Sequence, residues 1–212
     1  MIMGGTVAAG VSALAPKALA RGRVETPKYT VTASYATFEV RRYEPRIVAE
    51  VVVEGQGRDA SNAGFRVLAD YIFGNNEART EIAMTAPVDR QAEQIAMTAP
   101  VENTRADAKG GKQRWVVAFT MPSKYTLDTL PRPRNSAVVI REIPPTHYAV
   151  MRFSGAPPEA KVKQRMDDLA AALAAEDLRS AGKAPTYARY DPPWTPAFMR
   201  RNEIFIELIP TS

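Results

Sequence analysis

The sequence predicts an α+β fold made of two copies of one β-β-α-β-β unit, at about residues 28–122 and 134–210. The first observation is a repeat between segments 38–55 and 138–155. Four residues coincide at a spacing of one hundred positions, namely Arg41 with Arg141, Pro45 with Pro145, Ala49 with Ala149, and Gly55 with Gly155. The other two observations are the helical pattern that follows each segment and the apolar strand that closes each half before a proline.

In the first half, alternating apolar and polar residues predict two strands joined by a turn at Pro45. The apolar residues of the second strand share one face, and they are Ile47, Ala49, Val51 and Val53. Glu50 and Glu54 mark the opposite, solvent-facing side. A helix over residues 59–73 follows, and its apolar stripe consists of Phe65, Leu68 and Ile72. Segment 115–121 is the closing strand.

The second half repeats this plan. Its predicted helix carries the apolar stripe Val162, Met166, Leu169 and Leu173, with Gly182 beyond its end. Its closing strand covers residues 204–209, before Pro210. Duplicated halves are expected to face each other across a pseudo-two-fold axis, and a cleft between them is a natural ligand site.

A shorter repeat lies between the first helix and its closing strand. The segment Ile-Ala-Met-Thr-Ala-Pro-Val occurs at residues 82–88 and again at 95–101. Two short strands around a polar hairpin at 89–94 are predicted from this pattern, with each proline at a strand end or edge. Residues 102–114 are rich in charge and contain Gly110-Gly111, which predicts a mobile loop.

Composition narrows the class of protein. With 212 residues and 45% hydrophobic content, the chain can form one compact unit rather than two separable domains. The 28 basic and 23 acidic residues give a net charge of +5 and are interspersed, so a nucleic-acid partner is not expected. The absence of cysteine excludes disulfides, thiolate metal sites and a cysteine nucleophile.

Residues 1–27 are predicted to be a leader and linker preceding the domain at 28–212. Residues 7–15 form a small and apolar run that is too short to span a bilayer, and Ala18-Leu19-Ala20 matches an A-x-A signal peptidase site. The positive charges that normally precede such a run are missing. We expect export to the periplasm, the alternative being a cytoplasmic protein with a loose N-terminal tail.

Taken together, these motifs resemble the SOUL heme-binding protein family. The resemblance rests on the repeated Ala-Met-Thr-Ala-Pro-Val, on the strand and turn at 38–45, and on the closing Tyr190-Asp191-Pro192-Pro193 and Arg200-Arg201-Asn202-Glu203. It covers about residues 28–210. It implies a monomer whose halves form a distorted antiparallel β-barrel flanked by two helices. It also implies non-covalent binding of heme or another porphyrin, as a carrier or buffer.

The resemblance also implies a binding site between the first helix and the loop before the last strand, here residues 59–73 and 190–202. The residues implied to contact the tetrapyrrole ring are Phe65, Leu68, Tyr190, Trp194, Phe198 and Met199. Arg200 and Arg201 are implied to hold the propionates by charge-assisted hydrogen bonds. The plainer alternative is that these aromatic and methionine side chains belong to the core.

His147 is the sole histidine and the candidate axial ligand of heme iron. It aligns with the inward-facing Ile47 in the repeat, which favours a side chain directed into the barrel. The alternative is a hydrogen-bonded structural histidine at the start of its strand. Arg42 stands where some family members have a histidine proposed as the ligand.

Catalytic signatures are absent from the sequence, which contains no G-x-S-x-G, H-E-x-x-H, P-loop or G-x-G-x-x-G motif. We therefore expect a binding protein rather than an enzyme. Two alternatives stay open. One is a sensor or sequestering module for apolar cations, similar to GyrI-like domains. The other is a hydrolase or heme-modifying enzyme that uses carboxylates such as Glu81 and Glu203.

In the native host, we expect residues 1–20 to be removed during export, because the short apolar run ending in Ala18-Leu19-Ala20 has no place in the barrel. Mass spectrometry of the protein purified from that host should find a mature chain that begins at Arg21 or close to it. A soluble cytosolic protein that retains Met1 would contradict the prediction.

Overall fold

The computed structural model describes residues 24–78, 92–109 and 112–209. Most of the predicted leader, the first Ile-Ala-Met-Thr-Ala-Pro-Val segment and Glu81 therefore lie outside the described residues. The strands are β1 (Tyr29–Ser34), β2 (Glu39–Tyr43), β3 (Arg46–Glu54), β4 (Asn76–Glu77), β5 (Val101–Lys109), β6 (Lys112–Thr120), β7 (Arg132–Pro133), β8 (Val139–Ile143), β9 (Thr146–Ser154), β10 (Thr186–Arg189) and β11 (Arg201–Glu207). The helices are α1 (Gly57–Ile72), α2 (Glu159–Ala175) and a 3₁₀ turn at Ala197–Met199.

Nine of the described strands form one antiparallel sheet in the order β1-β2-β9-β11-β10-β5-β6-β3-β8. The sheet curls into a half-barrel, and both helices pack on the same face of it. The predicted α+β fold with two β-β-α-β-β halves is confirmed, because β2, β3, α1, β5 and β6 are repeated by β8, β9, α2, β10 and β11.

Each half donates its first strand to the other half. β2 pairs with β9, while β8 pairs with β3. The two pairings use equivalent registers, since Arg41 lies opposite Tyr148 and Arg141 lies opposite Val48. The hundred-residue repeat therefore corresponds to a pseudo-two-fold axis that passes between β5 and β10, the strands that join the halves.

Two sequence predictions in this region are wrong. Residues 102–109 and 112–114 do not form a loop, because they belong to the paired antiparallel strands β5 and β6. The predicted short strand at 95–101 is also missing, since only Val101 belongs to a strand. Its amides bond to separate partners instead, with Ile95 N donating to Ile72 O at 2.8 Å and Ala99 N to Glu25 O at 2.9 Å.

The two helices bury the predicted apolar stripes. Leu68 and Ile72 of α1 are buried against β3 and β6, where Gly64 lets the helix approach closely; a Cβ at this position would lie 2.7 Å from Val117 Cβ. Val162, Leu169 and Leu173 of α2 are buried against β9 and β11, with Met166 partly buried beside them. Both cores thus lie on the helix side of the sheet.

The concave face of the sheet has a smaller core of its own. Tyr43, Val150, Ala188 and Phe205 are buried there, and Tyr148 and Tyr190 pack beside them. This core surrounds the carboxylate of Glu203, which has no exposed surface. A carboxylate at such a position requires charged or hydrogen-bonding partners.

Glu203 receives those partners from both halves. Arg41 Nη1 lies 3.1 Å and Arg201 Nη2 lies 2.8 Å from Glu203 Oε1, and the Tyr190 hydroxyl donates to Oε2 at 2.6 Å. Burial opposes the charge of Arg41, but Glu203, Tyr43 and Glu39 together outweigh burial, and the pKa of Arg41 is raised. Burial raises the pKa of Tyr190 and Glu203 raises it further, so the phenol remains a donor.

Glu203→Gln should lower the free energy of unfolding by about 3–5 kcal/mol, because it removes the buried counter-charge of Arg41 and leaves only the partly exposed Glu39. Glu39 is the matched control, since it also pairs with Arg41 but is 41% exposed. Glu39→Gln should cost less than about 1 kcal/mol. Urea unfolding of both variants measures the difference, and equal losses would show that the buried network is not what stabilises this face.

Candidate functional site

The loop between β10 and β11, residues 190–200, is fixed by hydrogen bonds within the chain, and we call it the aromatic loop. Arg200 Nε donates to Thr195 O at 2.7 Å, and Arg200 Nη2 donates to Pro193 O. Asp191 Oδ2 accepts a hydrogen bond from the Arg201 amide at 2.7 Å, which closes the loop where β11 begins. Its prolines further restrict the backbone, and they are Pro192, Pro193 and Pro196.

Three large apolar side chains of the aromatic loop face solvent. Trp194 is 83% exposed, Phe198 78% and Met199 62%. Exposed apolar surface concentrated in one short segment marks a binding surface more often than scattered hydrophobic residues do. These flat or polarizable groups suit the face of an aromatic macrocycle.

Tyr190 and Arg201 lie at the base of the aromatic loop and point to the concave face of the sheet. The Arg201 guanidinium carbon is 3.9 Å from the centroid of the Tyr190 ring, and both side chains bond to Glu203. Arg200 is likewise engaged with backbone carbonyls of the loop. Tyr190, Arg200 and Arg201 are three of the residues that the family resemblance assigned to ligand contact, and in the structure they hold the loop in place.

The two α1 residues assigned to ligand contact differ in accessibility. Phe65 is half-buried, with its ring centroid 5.4 Å from that of Phe119. Leu68 has no exposed surface, because it lies in the core between α1 and the sheet. Of this pair, only Phe65 has surface available to a ligand.

A polar junction that the sequence prediction missed joins the first turns of α1 to the end of β10. Arg189 Nη2 donates to Ser61 Oγ at 2.5 Å, and Ser61 donates to Asn103 Oδ1 at 2.6 Å. Beside it, the Tyr187 hydroxyl donates to Asn202 Oδ1 at 2.7 Å. Tyr187 and Arg189 lie on the same face of β10. Their contact with α1 could not be predicted from the sequence, because it depends on how the two halves dock.

The electrostatics of Tyr187 connect this junction to the aromatic loop. Burial raises the pKa of Tyr187, and the positive charges of Arg189, Arg58 and Arg200 act in the opposite direction. Arg58 lies on the first turn of α1, three residues before Ser61, which accepts the hydrogen bond from Arg189, and Arg189 directly precedes the aromatic loop. This places the aromatic loop beside the N-terminal part of α1.

His147 does not share a site with the aromatic loop. It lies near the start of β9, whereas the loop joins β11 at Arg201, opposite Ser154 at the other end of β9. Seven residues of strand separate these points by about 23 Å, further than a porphyrin ring extends from its central metal. His147 instead lines a separate cavity of about 300 Å³ with Tyr35, Arg179 and Leu208.

Another cavity of about 360 Å³ lies beside the turn at Glu44-Pro45, lined by Lys28, Arg46 and Thr120 among others. Among the described residues, no group of three or more His, Cys, Asp or Glu side chains is arranged to hold a metal ion. No helix in the described part of the chain is long and apolar enough to cross a membrane.

Comparisons with known proteins agree with this architecture. The chain is 26% identical to human (Homo sapiens) heme-binding protein 2 over 171 residues, which cover 80% of this chain and 77% of that protein. The EcmrR C-terminal domain superposes with a TM-score of 0.58 at 8% identity, covering 86% of this chain and 99% of the domain. A hydrolase from Listeria innocua superposes with a TM-score of 0.51 at 12% identity, covering 84% and 94% respectively.

The two structural similarities, at these low identities, show a shared fold and nothing about ligands. The sequence comparison is more specific, because a family model extends over nearly the whole described chain. The SOUL heme-binding protein model matches residues 24–207, and the chain therefore belongs to the SOUL heme-binding protein family.

Proposed function

We propose that this protein binds heme or a related tetrapyrrole non-covalently against the aromatic loop and the adjoining face of α1, and carries or buffers it without changing it chemically. Family membership and the similarity to heme-binding protein 2 support a tetrapyrrole ligand. The site itself is argued from the residues of this chain.

The observation that carries the proposal is the combination of a fixed backbone with exposed apolar side chains in the aromatic loop. Trp194 and Phe198 are both more than three-quarters exposed, although hydrogen bonds from Arg200 hold the loop around them. A loop that is already ordered loses little conformational entropy on binding. A larger part of the free energy gained by burying its apolar side chains therefore contributes to affinity. Met199, which is 62% exposed, extends the same surface, and the half-buried Phe65 is the residue of α1 proposed to contact the ring.

The carboxylate-based hydrolase is the less favoured function because of the environment of Glu203. Both of its oxygens already accept hydrogen bonds, from Arg41 and Arg201 at Oε1 and from Tyr190 at Oε2. A carboxylate surrounded in this way has no exposed surface from which to take a proton from a substrate. The buried network therefore supports a structural role for Glu203.

Hemin should bind the wild-type protein at a ratio of one to one with a Kd in the micromolar range or below, equivalent to about 8 kcal/mol or more. Trp194→Ala should weaken binding by about 1–3 kcal/mol, since the indole loses its contact with the ring. Its free energy of unfolding should change by less than about 0.5 kcal/mol, because the side chain is exposed in the free protein. Soret titrations and urea melts of the same preparations measure both effects.

Phe73→Ala is the matched control, because Phe73 is an aromatic residue that is 60% exposed at the far end of α1. It should leave hemin affinity unchanged. No saturable Soret change with the wild type would refute tetrapyrrole binding. Equal losses in the Trp194 and Phe73 variants would refute the location of the site.

The same titrations test whether His147 binds iron. At about 23 Å from the aromatic loop along β9, His147 should not affect a ligand bound there, so His147→Ala should give an unchanged Soret maximum. A shifted maximum, with weaker binding of hemin but not of metal-free protoporphyrin, would instead place the heme in the cavity lined by Tyr35 and Arg179.

A further inference from the structure

Three arginines converge beside the aromatic loop, and we call them the arginine cluster: Arg58 on α1, Arg189 on β10 and Arg200 at the end of the loop. Their positive charges all oppose the rise in the pKa of Tyr187, and the hydrogen bond from Arg189 to Ser61 brings Arg189 to the first turns of α1, where Arg58 lies. Within the described residues, none of the three forms an ion pair with a carboxylate. The arginine cluster therefore carries positive charge that no ion pair among the described residues balances.

Arg189 is the member whose environment is most unusual. Its side chain is half-buried, yet its hydrogen-bond partner is the neutral hydroxyl of Ser61, at 2.5 Å. Burial lowers the pKa of Arg189, and the nearby charge of Arg58 lowers it further. Arginines are rarely withdrawn from water without a counter-charge.

Two other arginines that are withdrawn from solvent, among the described residues, show the usual arrangement. Arg41 pairs with Glu203 at 3.1 Å, and Arg46 lies 3.6 Å from Glu102. An acidic group does lie near the arginine cluster, because a Cβ at Gly57 would be 2.9 Å from the carboxyl carbon of Glu159. That carboxylate packs against the start of α1 and makes no ion pair with Arg189 among the described residues.

The position of the arginine cluster relates it to the apolar surface. Arg200 binds the carbonyls of Thr195 and Pro193, on either side of Trp194, and Arg189 directly precedes Tyr190. A flat apolar ligand on the aromatic loop therefore has a positively charged border on the side of α1. Guanidinium groups pair with carboxylates through two parallel hydrogen bonds, which gives them specificity for this group.

We propose that Arg189, assisted by Arg58, binds a free carboxylate of the ligand, so that the site selects tetrapyrroles with free acid side chains over those whose acids are esterified. This inference rests on the proposed function and adds its chemical selectivity. It assigns the anionic contact to residues other than Arg200 and Arg201, whose hydrogen bonds hold the aromatic loop.

Metal-free protoporphyrin and its dimethyl ester test the proposal, because they differ in charge and share the same ring. Titrations followed by quenching of tryptophan fluorescence should show that the wild type binds the diacid at least tenfold more tightly than the diester. Arg189→Gln and Arg58→Gln should lose most of this preference while binding the diester as the wild type does. Arg66→Gln, at an exposed position further along α1, is the matched control and should keep the preference.

Arg189→Lys retains the charge and should retain part of the preference, which separates an electrostatic role from a purely structural one. If Arg189→Gln does not fold, Arg58→Gln still tests the proposal. Arg58 is exposed, so its replacement should not disturb folding. Equal wild-type affinity for diacid and diester, or a preference that survives both glutamine substitutions, would overturn this inference alone. A wild type that binds neither porphyrin would overturn the proposed function, and the inference with it.

Discussion

The buried carboxylate of Glu203 is the interaction on which the geometry of the binding surface depends. It is fully enclosed, and its partners come from β2 of the first half and from both ends of the aromatic loop in the second. The bonds to Tyr190 and Arg201 fix the two points at which the loop leaves the sheet. Leaving the buried charge of Glu203 without partners would cost free energy, so these bonds are maintained. They thereby determine where the loop presents Trp194 and Phe198.

The duplicated halves have different tasks despite their common plan. In the first half, β5 and β6 form a long hairpin, whereas the equivalent strands β10 and β11 are separated by the aromatic loop. Val116, which faces Thr104 of β5, occupies the place in the first half that Glu203 takes in the second. The first half mainly contributes α1 and the cavity-lining turn, while the second contributes the apolar surface. The backbones of the two halves are therefore related by symmetry, but the side chains at equivalent positions differ in polarity and charge.

Much of the fold could be predicted from the sequence, because the hundred-residue repeat and the apolar stripes are local patterns. The stripe Phe65, Leu68 and Ile72 was enough to orient α1, and the coincidence of Arg41 with Arg141 anticipated two equivalent registers. The β5 strand was missed because it is rich in charged residues, as loops are. The sequence does not show which of its positions face solvent and which are buried. The solvent accessibility of the site residues could not be predicted either. The apolar stripe of α1 does not distinguish the enclosed Leu68 from the half-buried Phe65. Arg189 was overlooked because its significance depends on α1, which lies far away in the chain.

The exchange of first strands between the halves bears on how such a chain could arise. A single β-β-α-β-β unit would leave its own sheet incomplete, because β3 receives β8 and β9 receives β2 from the other unit. Two separate copies would complete their sheets only by swapping these strands, as in a domain-swapped homodimer. Fusion of two such subunits into one polypeptide would preserve the exchange while freeing each copy to diverge. An ancestral dimer with two identical loops is the simplest precursor of a single chain in which only one loop carries the aromatic surface.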